Sequence, residues 1–542
     1  MVATVAALPE GRFFDVYNSE ELWRRYCSFL DLSLEEFNEI QNYLLLEQVK
    51  QVADTPLGSR IMGGRRPVSV EEFRRVVPIT SYEDYSACLG ARQEEALADK
   101  CVFWCHSAGR GGNFKWIPYT RAAFDRIARY VVAGAILAAA EKKGAVHLAP
   151  MTRVLVNLAP RPYASGSLLY YFAQYFPYQS IPPLSQAEEL DFKERTEIAF
   201  RQAMDQGIDY IFSASSVLTK IGDSFARNER RLSLSSTLLH PRALHRLARA
   251  WLRSRLAGRG VLPRDLWSPK GLITFGVDTA MHEEEIARIW GKVPYQAYGN
   301  TEMMIGALQS WNKKAMTLLP DVAFWEFIPQ SEWPRSREDP TYQPRTVLMD
   351  ELEVGKQYEL VFSHFYGMPL MRYRIGDVFK VVALEDPETG VKLPQLVFQA
   401  RASDIIDLAG LTQIDEKTLA TAIANAGISC EEWCARKEYN HSRVYLRLFL
   451  ELKEEHPAEE MESLLEAQLK GVDTDFRDLE RWLGVDRTVV VTLLSRGTFA
   501  RYFEEKVKEG VPVAHLRPPR INPPDAAIAR LVQLSDLCRN AK

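Results

Sequence analysis

The 542-residue chain is too long for one ordinary hydrophobic core, so at least two domains are expected. A hydrophobic share of 46%, a charged share of 25% and a formal net charge of −4 suit a globular protein and give no overall attraction to a polyanion such as nucleic acid. The longest apolar run, over 130–140, falls short of the ~20 residues that cross a bilayer, and seven cysteines form no regular framework, so a reduced, cytoplasmic protein with no membrane partner is expected.

Apolar residues Leu22, Tyr26, Leu30, Phe37, Ile40, Tyr43 and Leu44 recur at mostly helical spacing, so the chain opens with helices over 19–54. The run 101–105 reads as a short buried strand leading into Ser107-Ala-Gly-Arg-Gly-Gly-Asn-Phe-Lys115. There Gly109, Gly111 and Gly112 let backbone N–H groups turn inward on an anion, and Lys115 adds a point charge. The glycine spacing is not that of a Walker A loop and no Ser or Thr follows the lysine, so a Gly-rich surface turn fits the same residues. His106 is either a general base beside this loop or a packed residue at a strand end. Cys101/Cys105 and Cys430/Cys434 have no second His or Cys pair nearby in sequence and make a poor zinc site.

Helical stretches over 121–141 and 194–205 alternate with short strands over 154–158, 210–212, 272–275 and 360–362, an α/β pattern. Ten arginines fall between Arg227 and Arg264. Of these, Arg242, Arg246, Arg249 and Arg253 form one stripe of a helix whose apolar side is Leu244, Leu247, Ala248, Trp251 and Leu252. A charged outer face accounts for the stripe; a polyanion-binding surface is its rival.

After the stretch 293–297, Tyr298-Gly299-Asn300-Thr301-Glu302 gathers an aromatic ring, a hydroxyl and a carboxylate able to stack a base, hydrogen-bond a phosphate and hold Mg²⁺. A strand-to-helix turn capped by Thr301 is the alternative. In Pro369-Leu-Met-Arg-Tyr-Arg-Ile-Gly-Asp377, Arg372 and Arg374 share one side of an extended chain, suited to phosphate or carboxylate, and Asp377 suits two ribose hydroxyls; a plain Arg/Asp salt bridge fits as well. A charged, β-rich stretch with a turn over 386–390 then leads to Arg401. Residues 1–398 are read as a large α/β domain of several subdomains, and 399–542 as a small, mobile α+β domain with strands over 444–450 and 488–494.

The order and spacing of these stretches resemble the acyl-adenylate-forming superfamily, which includes firefly luciferase and the acyl-CoA synthetases. The stretch Ser107–Lys115 occupies the place of its phosphate loop, Tyr298–Glu302 looks like its aromatic-Gly-x-Thr-Glu motif, and Arg372–Asp377 looks like its Arg-Tyr-Arg-x-Gly-Asp motif. Arg401-Ala-Ser-Asp404 with Gly410 is similar to its hinge. The segments 77–85 (Val-Pro-Ile-Thr-Ser-Tyr-Glu-Asp-Tyr), 320–329 and 353–361 resemble the auxin-responsive-promoter family of acyl acid-amido synthetases, over most of residues 70–520.

That resemblance implies an acyl-adenylate-forming fold and an ATP- and Mg²⁺-dependent ligase, a monomer or homodimer, that activates a carboxylic acid and transfers it to an amine or amino acid. Met368-Pro-Leu-Met-Arg372 is closer to phenylacetate-CoA ligase wording and keeps CoA as an alternative acceptor. Carried over residue by residue, Ser107, Gly109, Arg110, Gly111, Gly112 and Lys115 would hold the β and γ phosphates. Gly276, Val277 and Asp278 would line the adenine site, with Tyr298, Gly299 and Asn300 against the base. Thr301 would touch the α-phosphate, Glu302 would bind Mg²⁺, Asp377, with Arg401 near it, would hold the ribose, and Arg374 would be a further nucleotide-binding residue.

The chain departs from the pattern at Ala108, Arg110 and Gly111, where hydroxyl residues are usual, losing two or three phosphate hydrogen bonds of ~1.5–3 kcal/mol each. Arg517 stands in place of a catalytic lysine near the C-terminus; it keeps the charge but not the compact geometry. A non-catalytic, nucleotide-binding relative is therefore a further alternative.

Overall fold

The computed structural model describes residues 9–106, 115–156, 158, 160–190, 192–226, 241–275, 279–339, 341–401, 405–408, 412–440, 443–473, 476–477, 488–509 and 518–540. The chain packs as two compact units, Met1–Ile375 with Phe379–Phe398, and Gly376–Val378 with Gln399–Lys542.

The first unit opens with helices Ser19–Cys27 and Leu34–Val52. Both begin with a reciprocal cap: Asn18 with Glu21, and Ser33 with Glu36, each satisfying otherwise orphaned N–H groups for about 1 kcal/mol. On the buried face of the second helix, two glutamines one heptad apart bind backbone. Gln41 Nε2 donates to the Ala323 carbonyl (2.8 Å) and its Oε1 accepts from Trp325 N–H (2.9 Å). Gln48 Nε2 donates to the Met368 carbonyl (2.7 Å) while its Oε1 accepts from Gly367 N–H (2.8 Å). The helix thereby fixes the loop that precedes Arg372.

Strands β1 (Cys101–His106) and β2 (Trp116–Thr120) pair antiparallel, with His106 opposite Trp116. The main sheet is built from β3 (Thr152–Val156), β4 (Tyr178–Ile181), β5 (Tyr210–Ala214), β6 (Gly271–Phe275), β7 (Tyr295–Tyr298), β8 (Ala307–Gln309), β9 (Met316–Leu318), β10 (Ala323–Pro329), β11 (Gln357–His364), β12 (Tyr373–Ala383) and β13 (Gln395–Arg401). Its order is β10-β11-β12-β13-β9-β8-β7-β6-β5-β3-β4. The β4-β3-β5-β6-β7 half is parallel, with helices between successive strands, and the pairs β7/β8, β8/β9, β9/β13 and β10/β11 are antiparallel. The central helix Arg121–Ala139 buries most of its length against this sheet. At its Gly134 the packing is close: a Cβ there would lie 3.3 Å from Leu308 Cδ2.

The second unit carries the hairpin β14 (Ile405–Leu408) and β15 (Thr412–Asp415), then a sheet of β16 (Cys430–Asn440), β17 (Arg443–Leu452) and β18 (Val489–Leu494). Along β17 the side chains alternate: Leu446, Leu448 and Leu450 enter one core, Phe449 the other. Helix Ala458–Val472 makes the crossover between the parallel strands β17 and β18.

The arginine-rich stretch is helical over Pro241–Leu256, but its buried residues are Ala243, Ala250 and Ser254. Leu244, Trp251 and Leu252, read from the sequence as the inward side, are exposed. Arg246 leaves the charged stripe instead, donating to the carbonyls of Met204 (2.5 Å) and Asp205 (2.9 Å) at the end of helix Phe192–Gln206. Among the described residues no helix is long and apolar enough to cross a membrane.

Candidate functional site

The turn after β7 is built by its backbone. Gly299 has no alternative, because a Cβ would sit 1.9 Å from the Met304 carbonyl oxygen. Asn300 Oδ1 accepts from the N–H groups of Glu302 (3.0 Å) and Met303 (3.1 Å), and the Asn300 carbonyl accepts from Met304 N–H (2.7 Å). The cap is therefore Asn300, not Thr301, and the turn leads into strand β8, not a helix. Three side chains from other strands bind the next two carbonyls. Tyr119 Oη (2.8 Å) and, at 3.9 Å, Cys105 Sγ donate to Thr301; His364 Nε2 donates to Glu302 (2.7 Å).

His364 Nδ1 accepts from Leu370 N–H (3.2 Å), so the proton sits on Nε2. Burial holds its pKa down at about 4, which keeps the ring neutral. A small cavity shares Tyr119, Met303 and His364 with this turn, and is closed by Ala123, Ile127 and Val322.

Three sequence motifs meet at the Glu302 carboxylate. Glu302 is 5% exposed, Lys115 Nζ lies 3.9 Å from its Oε1, and the Tyr373 hydroxyl is 3.2 Å from the same oxygen and 3.4 Å from Lys115 Nζ. Tyr373 itself is 1% exposed, its ring beside Phe362 (5.5 Å) and Tyr85 (6.3 Å). Burial first, and the Glu302 charge second, raise its pKa, so the phenol stays protonated, donating to the carboxylate and accepting from the ammonium. Thr80 accepts from Arg374 N–H and donates its own N–H to the Arg372 carbonyl (both 2.9 Å), bracketing Tyr373. Tyr82 accepts from Trp116 N–H (2.7 Å), and Lys115 Nζ stands 5.5 Å from its ring.

The two arginines flanking Tyr373 do point to one face, but onto carboxylates of the sheet. Arg372, 5% exposed with φ of 44°, binds Glu326 through Nε (2.9 Å) and Nη2 (2.8 Å), and donates to the carbonyls of Arg74 (2.6 Å) and Val77 (2.7 Å). Arg374 binds Glu359 through Nε (2.7 Å) and Nη2 (2.6 Å), and Ser336 Oγ (2.6 Å) through Nη1. All three donor nitrogens of Arg374 are thus engaged by the protein itself, and the salt bridges run to glutamates, not to Asp377.

Tyr298 packs edge-on to Phe379 (4.8 Å) and parallel to Phe398 (6.3 Å), and its hydroxyl accepts from Asn300 Nδ2 (3.1 Å). In the second unit, Asp377 is buried and Arg401 Nε lies 3.4 Å from its Oδ1. The His106 ring is held edge-on to Trp116 (4.8 Å) and Tyr163 (4.5 Å). Ser107, Gly109, Arg110, Gly111, Gly112, Gly276, Val277, Asp278 and Arg517 lie outside the described residues. Sequence reasoning assigned no role to Tyr119, His364 or Tyr373, and saw Thr80, Tyr82 and Tyr85 only within the 77–85 resemblance.

Residues 27–179 match the GH3 family N-terminal domain and 316–401 match the GH3 family central domain. The likeness to the GH3 family is carried by these two stretches of the chain. Similar relatives are an indole-3-acetic acid-amido synthetase of Arabidopsis thaliana, 26% identical over 219 residues, 38% of this chain, and a jasmonoyl–L-amino acid synthetase of Oryza sativa subsp. japonica, 25% identical over 296 residues, 50% of this chain. The matches span 34% and 49% of the lengths of those two GH3 proteins. The fold is that of the acyl-adenylate-forming enzymes. The acyl acid amido synthetase AtGH3.15, in complex with 2,4-DB, superposes with a TM-score of 0.68 at 17% identity, over 95% of this chain and 96% of its own. A 2-hydroxyisobutyryl-CoA ligase in the postadenylation state gives 0.61 at 15% identity, over 94% and 95%.

Proposed function

We propose that this chain is a GH3-family enzyme that activates a carboxylic acid with ATP as an acyl-adenylate and transfers the acyl group to an amine, an amino acid being the acceptor suggested by its relatives' names. The observation that carries the reading is the convergence of Lys115, Glu302 and Tyr373, each from a different motif, on one carboxylate oxygen. In the first step a carboxylate oxygen of the acid attacks the α-phosphorus and pyrophosphate leaves. In the second the amine nitrogen attacks the acyl carbon, AMP leaves and the amine's proton is lost.

Lys115 supplies positive charge toward the leaving phosphates, aided by the loop 107–112, and Arg517 serves the same end in place of a lysine. Mg²⁺ typically takes one or two protein carboxylates and fills its remaining positions with phosphate oxygens and water. Among the described residues no group of three or more His, Cys, Asp or Glu could hold a metal, and a lone Glu302 fits that donor set. Bound there, the ion would neutralise charge on the phosphates. Thr301 serves the α-phosphate, Tyr298, Gly299, Asn300 and 276–278 the base, and Asp377 with Arg401 the ribose. Arg374, engaged by Glu359 and Ser336, is given no phosphate. In this reading residues 1–398 are the adenylating domain and 399–542 the C-terminal domain of a cytoplasmic monomer or homodimer.

The CoA-ligase neighbour favours a second reading with a thiol acceptor. A pyrophosphate-release screen over carboxylic acids, followed by AMP release with amino acids against CoA, separates the two. Glu302→Ala and Asp377→Ala should each lower release about 100-fold or more with folding intact; unchanged turnover removes those roles, and ATP binding without release identifies a non-catalytic relative.

A further inference from the structure

Resting on that reading, we infer that Tyr373 is a positioning residue of the nucleotide site: its phenol fixes Glu302 Oε1 beside Lys115 and leaves the other carboxylate oxygen for the metal. A phenylalanine would fill the same space, since the ring packs with Phe362 and Tyr85 and the residue is 1% exposed. Burying a hydroxyl where a hydrogen would do is unfavourable unless the oxygen is paired. Here it pairs with two charged groups, the carboxylate at 3.2 Å and the ammonium at 3.4 Å.

The backbone on either side is held in turn by Thr80, and Arg372 by Glu326, so the phenol cannot drift from the carboxylate without breaking a buried cluster. The direct contact between Lys115 and Glu302 is loose, 3.9 Å, and the hydroxyl bridges it. When phosphate draws the ammonium away, the phenol remains as the donor to Oε1. Glu302 then keeps one oxygen satisfied and its orientation fixed, and does not need the lysine to hold it.

The test is calorimetric titration of the full chain with Mg·ATP in the absence of acid, for wild type, Tyr373→Phe, Glu302→Gln and the double variant, with a Mg²⁺ titration at fixed ATP alongside. Loss of a hydrogen bond to a charged group predicts about tenfold weaker Mg·ATP binding and a raised Mg²⁺ midpoint in Y373F. In the Glu302→Gln background the same substitution should cost less than about twofold, because the two residues act as one unit. Wild-type affinity and Mg²⁺ midpoint in Y373F, or an equal loss in both backgrounds, overturn the inference while leaving the nucleotide site intact. Where Glu302→Gln binds too weakly to measure, the Mg²⁺ midpoint of Y373F decides alone. A wild-type chain that does not bind Mg·ATP overturns the adenylation reading itself.

Discussion

Replacing Arg372 by alanine should destabilise the first unit by about 3–5 kcal/mol, the usual cost of stripping one partner from a buried ion pair. Glu326 is 0% exposed and takes two guanidinium bonds from Arg372; after truncation it keeps Thr346 Oγ1 at 2.6 Å and Arg74 Nε at 3.4 Å, while the carbonyls of Arg74 and Val77 lose their donor. The remaining hydroxyl and the more distant arginine argue for the lower end of that range. Urea unfolding followed by tryptophan fluorescence measures it, as Trp325 lies in the strand that carries Glu326. The companion is Arg372→Met with Glu326→Leu: removing both charges avoids a stranded carboxylate, so the double variant should be more stable than Arg372→Ala. A loss below about 1 kcal/mol, within the range of surface ion pairs, would refute the assignment of Arg372 to the framework.

Gly299→Ala cannot keep the turn, given the 1.9 Å approach to the Met304 carbonyl, and should show faster proteolysis and no Mg·ATP binding; a normally folded, binding-competent variant would contradict the geometry. Because burial lowers the His364 pKa from 6.5 to about 4, the unfolded chain binds the extra proton first, so stability present above pH 6.5 should be lost as the pH falls toward 4. The loss is about 3 kcal/mol in all, and a His364→Gln variant should flatten that slope in denaturant midpoints taken across the range. Arg374→Ala should lower the unfolding midpoint, by leaving buried Glu359 without its bidentate partner, yet leave the apparent affinity for ATP within about twofold; a large affinity loss at unchanged stability would return Arg374 to the phosphates.

Much of the fold was legible because its signals are local. The helical spacing after Ser19, the buried strand at Cys101 and the strand at Leu272 correspond to observed elements, and the cap pairs Asn18/Glu21 and Ser33/Glu36 are short-range patterns. The proposed function rests on ordered motifs. The turn at Tyr298 allows a helix start as an alternative because Thr301 is a capping residue, whereas the strand beyond it is set by the pairing of β7 with β8. Helix Pro241–Leu256 is misread in part when bulk is equated with burial: Leu247 does pack on the core, but the buried residues are Ala243, Ala250 and Ser254, while Leu244, Trp251 and Leu252 are exposed. The arginines of the Arg-Tyr-Arg motif point to a ligand in the sequence because their partners, Glu326 and Glu359, lie on strands far away along the chain. No periodicity announces such pairs.

The consecutive carbonyls of Thr301 and Glu302 are gripped by Tyr119 and His364, from strands on separate parts of the chain. A segment clamped from two directions has little conformational freedom left to surrender, so its ordering is settled during folding and not on arrival of a guest. If the proposed adenylation holds, residues elsewhere in the first unit could be exchanged to admit different acids without retuning this element, which is one physical route by which a single architecture serves many chemistries.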